Sequence, residues 1–283
     1  MSKTKEFHRP DNWSKAHQLL KRSDIHTVPL NVGPRPTALT NLSADAFVDL
    51  EKLNLNYINV GEDGNVHIGA MTTLQDIYQS DMIKSQAGGV LTEAAYFSAT
   101  LGLRNLASIA GTITDAENPP DVPLVLMALD AIVTVQKDEN QTRQVALHEW
   151  MKDCTKVLLP GEAILEVSFP AQPMVGGALV RVNRTPRDKA IVATVAVLHI
   201  DNGICSKAGV ALAGANPSPV RLWEVEALLT GKSPTTKLIE QAGQLAENQA
   251  RPVGDYLGSV VYRTAMASVL TKRALSQALK TTK

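Results

Sequence analysis

The chain has 283 residues, 44% of them apolar and 20% charged, enough to bury one large domain or two modest ones. Its 28 lysines and arginines are matched by 28 aspartates and glutamates, so no net charge draws it toward nucleic acid or an anionic membrane surface. No apolar run approaches the roughly 18 residues of a membrane span, and the polar opening MSKTKEFHRPDNW has no apolar signal core, which makes the cytoplasm the expected compartment.

In chain order, a short strand at 7–10 is followed by a helix at 13–22, where Trp13, Ala16, Leu19 and Leu20 fall at helical spacing behind Ser14. Residues 28–32 read as a strand, and 74–80 and 89–101 as helices, the second with Ala94, Ala95, Ala99 and Leu101 available for packing. The β-branched run 131–136 is a strand whose partner, 142–146, returns antiparallel across the polar turn KDENQ, and 164–169 is another strand.

Two prolines and two glycines at 170–177 break the periodicity, placing a domain boundary there. Beyond it, 178–183, 191–201 and 203–211 form a meander with Asp201-Asn202-Gly203 as a hairpin turn. Helices at 222–230, 236–248 and 259–281 close the chain on one face of that sheet. The fold class is therefore α+β.

The stretch 103–131 carries the most chemistry. Between Ala107 and Thr114 nearly every residue is small or β-branched, which suits a backbone cradle for a large ligand and equally an ordinary tight loop feeding a buried helix. Asp115, Glu117 and Asp121 crowd the next seven positions, and Pro119 and Pro120 stiffen them ahead of the apolar run 124–129.

Elsewhere familiar signals are missing. Cys154 and Cys205 form no C-x-x-C pair, and the six histidines show no metal-ligand spacing, so no metal or iron–sulfur cluster is expected in this chain. Gly231-Lys232-Ser233 ends like a P-loop, but Glu226 stands where its first glycine belongs, and no G-x-G-x-x-G or G-x-S-x-G occurs.

Arg104, Asn105, Ala107, Ile109 and Gly111, then Asp121, Pro123, Leu126, Ala128, Leu129, Asp130 and Ala131, resemble the FAD-binding medium subunit of the xanthine dehydrogenase and carbon monoxide dehydrogenase (molybdenum hydroxylase) family, which reads R-N-x-A-T-I-G-G-N and later A-L-D-A. The likeness extends to Phe7, Arg9 and Pro10, to VHIGAMTT at 66–73 and to LPGEAILEVSFP at 159–170. Near the end it includes Asp255, Ser259, Tyr262, Arg263, Met266, Leu270, Arg273 and Ala274.

The resemblance implies a PCMH-type FAD-binding domain over 1–172, in two subdomains split near 55–60, and a domain like the C-terminal domain of the CO dehydrogenase flavoprotein over 173–283. It implies a complex in which a molybdopterin-binding large subunit oxidises the substrate and a small subunit relays electrons through 2Fe–2S clusters. This chain would then pass them through FAD to NAD or another acceptor. The lack of side-chain catalysts agrees, because a flavin carries its own redox chemistry. Two alternatives stand beside it: a flavin-less structural or assembly subunit of the same kind of complex, and a free-standing module binding another nucleotide.

Two FAD-holding loops are implied. The first, A-G-G-T-D-L in the family, aligns with Asn31, Val32, Gly33, Pro34, Arg35 and Pro36. Pro34 and Pro36 each remove an N–H donor, Val32 adds bulk, and Arg35 offers a compensating forked cation. The second, T-I-G-G-N, aligns with Ser108, Ile109, Ala110, Gly111 and Thr112. There Ser108 keeps a hydroxyl, Gly111 keeps backbone freedom and Thr112 keeps an oxygen, while Ala110 is strained if its position needs a positive φ. Asp121 aligns with an acid near the FAD, Ile164 with an apolar flavin neighbour and Arg181 with a basic contact. Their ordinary counterparts are a surface helix cap, an interior strand residue and a surface charge.

Overall fold

The computed structural model describes residues 5–34, 44–115, 121–154, 157–185 and 188–282. Arg35, Pro36, Glu117, Pro119 and Pro120 lie outside the described residues. Contacts gather the chain into two units, one made of 1–77, 99–117 and 131–169, the other of 78–98, 118–130 and 170–283.

In the first unit, β1 (Glu6–His8), β2 (Thr27–Pro29) and β3 (Ala46–Val48) form a parallel sheet in the order β1-β3-β2. Parallel strands need a crossover, and the helix Trp13–Leu20 lies between β1 and β2 in the chain. Its cap is Asn12, whose side chain accepts the Lys15 N–H at 3.0 Å, not the expected Ser14. Ala16 and Leu20 are buried, and His17 reaches the Gly161 carbonyl at 2.9 Å.

A second sheet in this unit has the order β4-β5-β8-β6-β7, with β4 at Ile58–Val60, β5 at Asn65–Gly69, β6 at Ile132–Gln136, β7 at Thr142–Ala146 and β8 at Ala163–Pro170. The expected hairpin is present, pairing Ile132 with Ala146 and Gln136 with Thr142. Trp150, fully buried, donates its indole N–H to the Ile113 carbonyl at 3.0 Å and so ties the end of that hairpin to the candidate second loop.

The second unit is built on the antiparallel sheet β12-β11-β10-β9, where β9 is Gly176–Val182, β10 Val192–Asp201, β11 Ile204–Ala213 and β12 Val220–Arg221. Asn202 (φ 51°) and Gly203 (φ 79°) both occupy the left-handed region between β10 and β11, as a tight hairpin with matching twist requires. Val192, Ala196, Leu198, Val210 and Leu212 join Ala267, Leu270, Ala274 and Ala278 of the helix Val260–Thr281 in one core.

The opposite face of that sheet is also covered, contrary to the one-sided packing expected. Gly209 pairs with Val197, and a Cβ on Gly209 would lie 2.0 Å from the Ala128 carbonyl, so the helix Asp121–Ala128 lies against the face that Val195 and Val197 share. All seven residues from Val192 to Leu198 are accordingly buried. The helix expected over 89–101 is two helices, Val90–Ser98 and Leu101–Arg104. Thr100 is extended between them, and Ser98 Oγ bonds back to the Ala94 carbonyl at 2.7 Å.

Candidate functional site

The two loops meet in the first unit. Asn31, Val32 and Gly33 follow β2, and the Val32 carbonyl accepts the Ser108 N–H at 2.9 Å. A Cβ on Gly111 would lie 2.1 Å from the Val32 oxygen and 2.7 Å from the Gly33 nitrogen. Gly111 is glycine because two backbones touch there, and its φ is not positive, so conformational freedom is not the reason.

The small-residue stretch, expected as either a ligand cradle or a tight loop, is for the most part the helix Ile109–Thr114. Ser108 caps it, accepting the Gly111 N–H on its hydroxyl at 3.1 Å. The Ile109 N–H bonds the Thr72 carbonyl at 2.9 Å, the Ala110 N–H bonds the Ala70 carbonyl at 3.1 Å, and the Thr112 N–H bonds the Ser108 carbonyl at 2.9 Å. Thr112 Oγ1 donates to the same Ser108 carbonyl at 2.8 Å. Every backbone amide from Ser108 to Thr112 therefore has an acceptor within the chain.

Burial agrees with that closure: Ser108 is 2% exposed, Ala110 1%, and Ile109 and Thr112 not at all. Ala110 has no positive φ, so the anticipated strain at its methyl does not arise. Gly33 and Pro34 are buried, and Asn31 and Val32 partly so. Ile164 is an interior residue of β8, paired with Val135.

Asp121 and Arg181 belong to the second unit and form an ion pair with each other. Their side chains are 7% and 10% exposed, so neither is the surface group that an ordinary cap or charge would be. Asp121 opens the helix Asp121–Ala128, where a carboxylate also complements the helix dipole. Arg181 projects from β9, donates Nη2 to the Asp188 carbonyl at 2.8 Å and lies 5.1 Å from the centre of the Phe97 ring. Burial raises the carboxyl pKa of neighbouring Glu93, and the Arg181 charge opposes that rise. Phe97 and Glu93 carried no motif, and only their distance from Arg181 in the folded chain reveals them.

A polar cluster that sequence spacing did not single out lies on the second sheet of the first unit. His67 on β5 meets Glu166 Oε1 through Nδ1 at 2.9 Å and Asp63 Oδ1 through Nε2 at 3.1 Å, while Tyr57 donates its hydroxyl to Glu166 Oε2 at 2.8 Å. Burial disfavours the imidazolium, yet the hydrogen bonds to the two carboxylates outweigh it and raise the His67 pKa. The backbone N–H of Asn65, aided by His67, brings the Asp63 carboxyl down to about 2. Burial pushes the thiols of Cys154 and Cys205 up, away from reactive thiolate character. Among the described residues no group of three or more His, Cys, Asp or Glu side chains is arranged to hold a metal, and no helix is long and apolar enough to cross a membrane.

Comparison with known proteins bears on the whole length. Residues 3–172 match the family model described as the FAD binding domain in molybdopterin dehydrogenase, and 178–278 match the CO dehydrogenase flavoprotein C-terminal domain. The glyceraldehyde dehydrogenase medium chain of Sulfolobus acidocaldarius is 27% identical over 95% of this chain and 96% of its own. Subunit alpha of the 6-hydroxypseudooxynicotine dehydrogenase complex of Paenarthrobacter nicotinovorans is 32% identical over 77% of this chain and 74% of its own. Among solved structures, a chain of carbon monoxide dehydrogenase from Hydrogenophaga pseudoflava superposes with a TM-score of 0.89 at 27% identity, covering 100% of both chains. These relatives are subunits of dehydrogenases, and the chain belongs to their family, the FAD-binding subunits of the CO dehydrogenase-like molybdenum hydroxylases.

Proposed function

We propose that this chain is the medium subunit of a molybdenum hydroxylase-type oxidoreductase in the cytoplasm. Its partners are a molybdopterin-binding large subunit, which oxidises the organic substrate, and a small subunit carrying 2Fe–2S clusters. The observation that carries the reading is end-to-end agreement: both family models match in order, and a solved CO dehydrogenase chain covers this one completely. An exposed apolar stretch supports a subunit role, since Val253, Tyr256 and Val261 are 71%, 88% and 78% exposed.

The family role of such a subunit is to pass cluster electrons through FAD to an acceptor such as NAD. A second reading, a structural or assembly subunit without flavin, is favoured by one specific observation: the amides from Ser108 to Thr112 are already bonded within the chain. Co-expression with molybdopterin-binding and iron–sulfur chains encoded beside its gene tests the subunit assignment. Co-elution of the three on size exclusion is the expected result, and a chain that elutes alone overturns it.

A further inference from the structure

We infer that the groove between the two C-terminal helices of the second unit seats an acidic amphipathic helix of a partner subunit. The inference rests on the medium-subunit reading above and names the surface by which one partner is held.

The helices Thr236–Gln249 and Val260–Thr281 approach each other at Gly243, where an added Cβ would lie 2.5 Å from Cγ of Lys272. The missing side chain lets the Lys272 stem lie across the neighbouring helix, and its ammonium meets Glu240 at 2.8 Å. Toward the start of Thr236–Gln249 the two helices border an open groove of about 460 Å³, whose apolar surface comes from the buried Ile239 and the half-buried Val269.

The charge of this groove is one-sided. Glu240 neutralises Lys272, but Arg273 and Lys280 are exposed and make no ion pair or hydrogen bond among the described residues. They stand seven residues apart on one helix, two turns or about 10 Å, and so share a face. The positive end of the Thr236–Gln249 dipole lies at the same groove. An apolar strip bordered by two free cations at that spacing complements a helix with an apolar stripe and carboxylates two turns apart. Duplex nucleic acid would call for a broader set of cations.

The experiment uses the full chain in complex with the molybdopterin-binding and iron–sulfur chains encoded beside its gene. A carbodiimide joins lysine amines to carboxylates in contact, and mass spectrometry identifies the linked peptides. The expected link runs from Lys280 to an aspartate or glutamate in a partner helix. The double variant Arg273→Glu, Lys280→Glu should raise the dissociation constant for the purified partners at least about tenfold, because like charges then face each other. Its thermal midpoint as an isolated chain should hold, both side chains being exposed. Undiminished association of the double variant, or Lys280 linked only within this chain or to a second copy, overturns the proposal. So does binding of the wild type to phosphatidylserine vesicles that the double variant loses, which would assign the cations to lipid. A wild-type chain that binds no partner overturns the subunit reading and this occupant with it, whereas a double variant that still binds overturns the occupant alone.

Discussion

The Val32 carbonyl oxygen and the Gly111 α-carbon are in direct backbone contact, so that a Cβ on residue 111 would lie 2.1 Å from that oxygen. This single contact makes the two loops one packed body, and it fixes what a substitution does. Gly111→Ala forces the loops apart and is expected to cost about 1–3 kcal/mol in urea unfolding, the usual penalty of overpacking. Gly102→Ala is the control: nothing lies within 4 Å of its added methyl, and the helix Leu101–Arg104 gains up to about 1 kcal/mol. Equal midpoints for the two variants would mean that the loops are not packed as described.

Arg221 anchors the second unit. Its side chain, 2% exposed, bonds Glu226 through Nε at 2.7 Å, Asp130 through Nη1 at 2.7 Å and the Met127 carbonyl at the end of the helix Asp121–Ala128. Arg221→Leu strands the buried Glu226 carboxylate and is expected to cost about 3–5 kcal/mol in chemical denaturation. Arg221→Lys keeps the charge but not the fork, so most of that loss should remain. Near-wild-type stability of the lysine variant would show that charge alone suffices.

The Asp121–Arg181 pair braces the interior of the second unit. Arg181→Met leaves a buried carboxylate and is expected to destabilise by about 3–5 kcal/mol, and adding Asp121→Asn should recover much of that loss, because the uncompensated charge is then gone. A double variant no more stable than the single one would mean that the Phe97 stack and the Asp188 contact, not the charges, dominate.

The His67 cluster predicts a pH dependence whose sign comes from the raised imidazole pKa. A group whose folded pKa exceeds its unfolded value stabilises fully below the unfolded value, about 6.5 for histidine, and that contribution disappears as pH rises through the folded value. The thermal-midpoint gap between wild type and His67→Gln should therefore be widest on the acidic side of that window and shrink toward alkaline pH. Asp63, held down to about 2, stays charged throughout the range, so it does not blur the effect. A gap that widens with pH would contradict the cluster's role.

Local chemistry made the β10–β11 hairpin and the C-terminal helices readable from sequence, because Asn-Gly imposes its turn and apolar residues recur at fixed periods. The helix Ile109–Thr114 was not readable as one. Its residues are small or β-branched, with weak helix propensity, and it is held by the carbonyls of Ala70 and Thr72, almost forty residues earlier in the chain. The second face of the β9–β12 sheet escaped for a similar reason, since the helix that covers it precedes the sheet by about fifty residues. The candidate loops were found through family resemblance. The hydrogen bond between them was not, because such a partner leaves no periodic trace in sequence.

The most direct measurement is the flavin content and visible spectrum of the complex purified through a tag on this chain. Iron–sulfur absorption from co-purified partners, with FAD released on acid denaturation, is the predicted result. Partners recovered without FAD would contradict its electron-transfer role, and a tagged chain recovered without any iron–sulfur partner would contradict its place as a medium subunit.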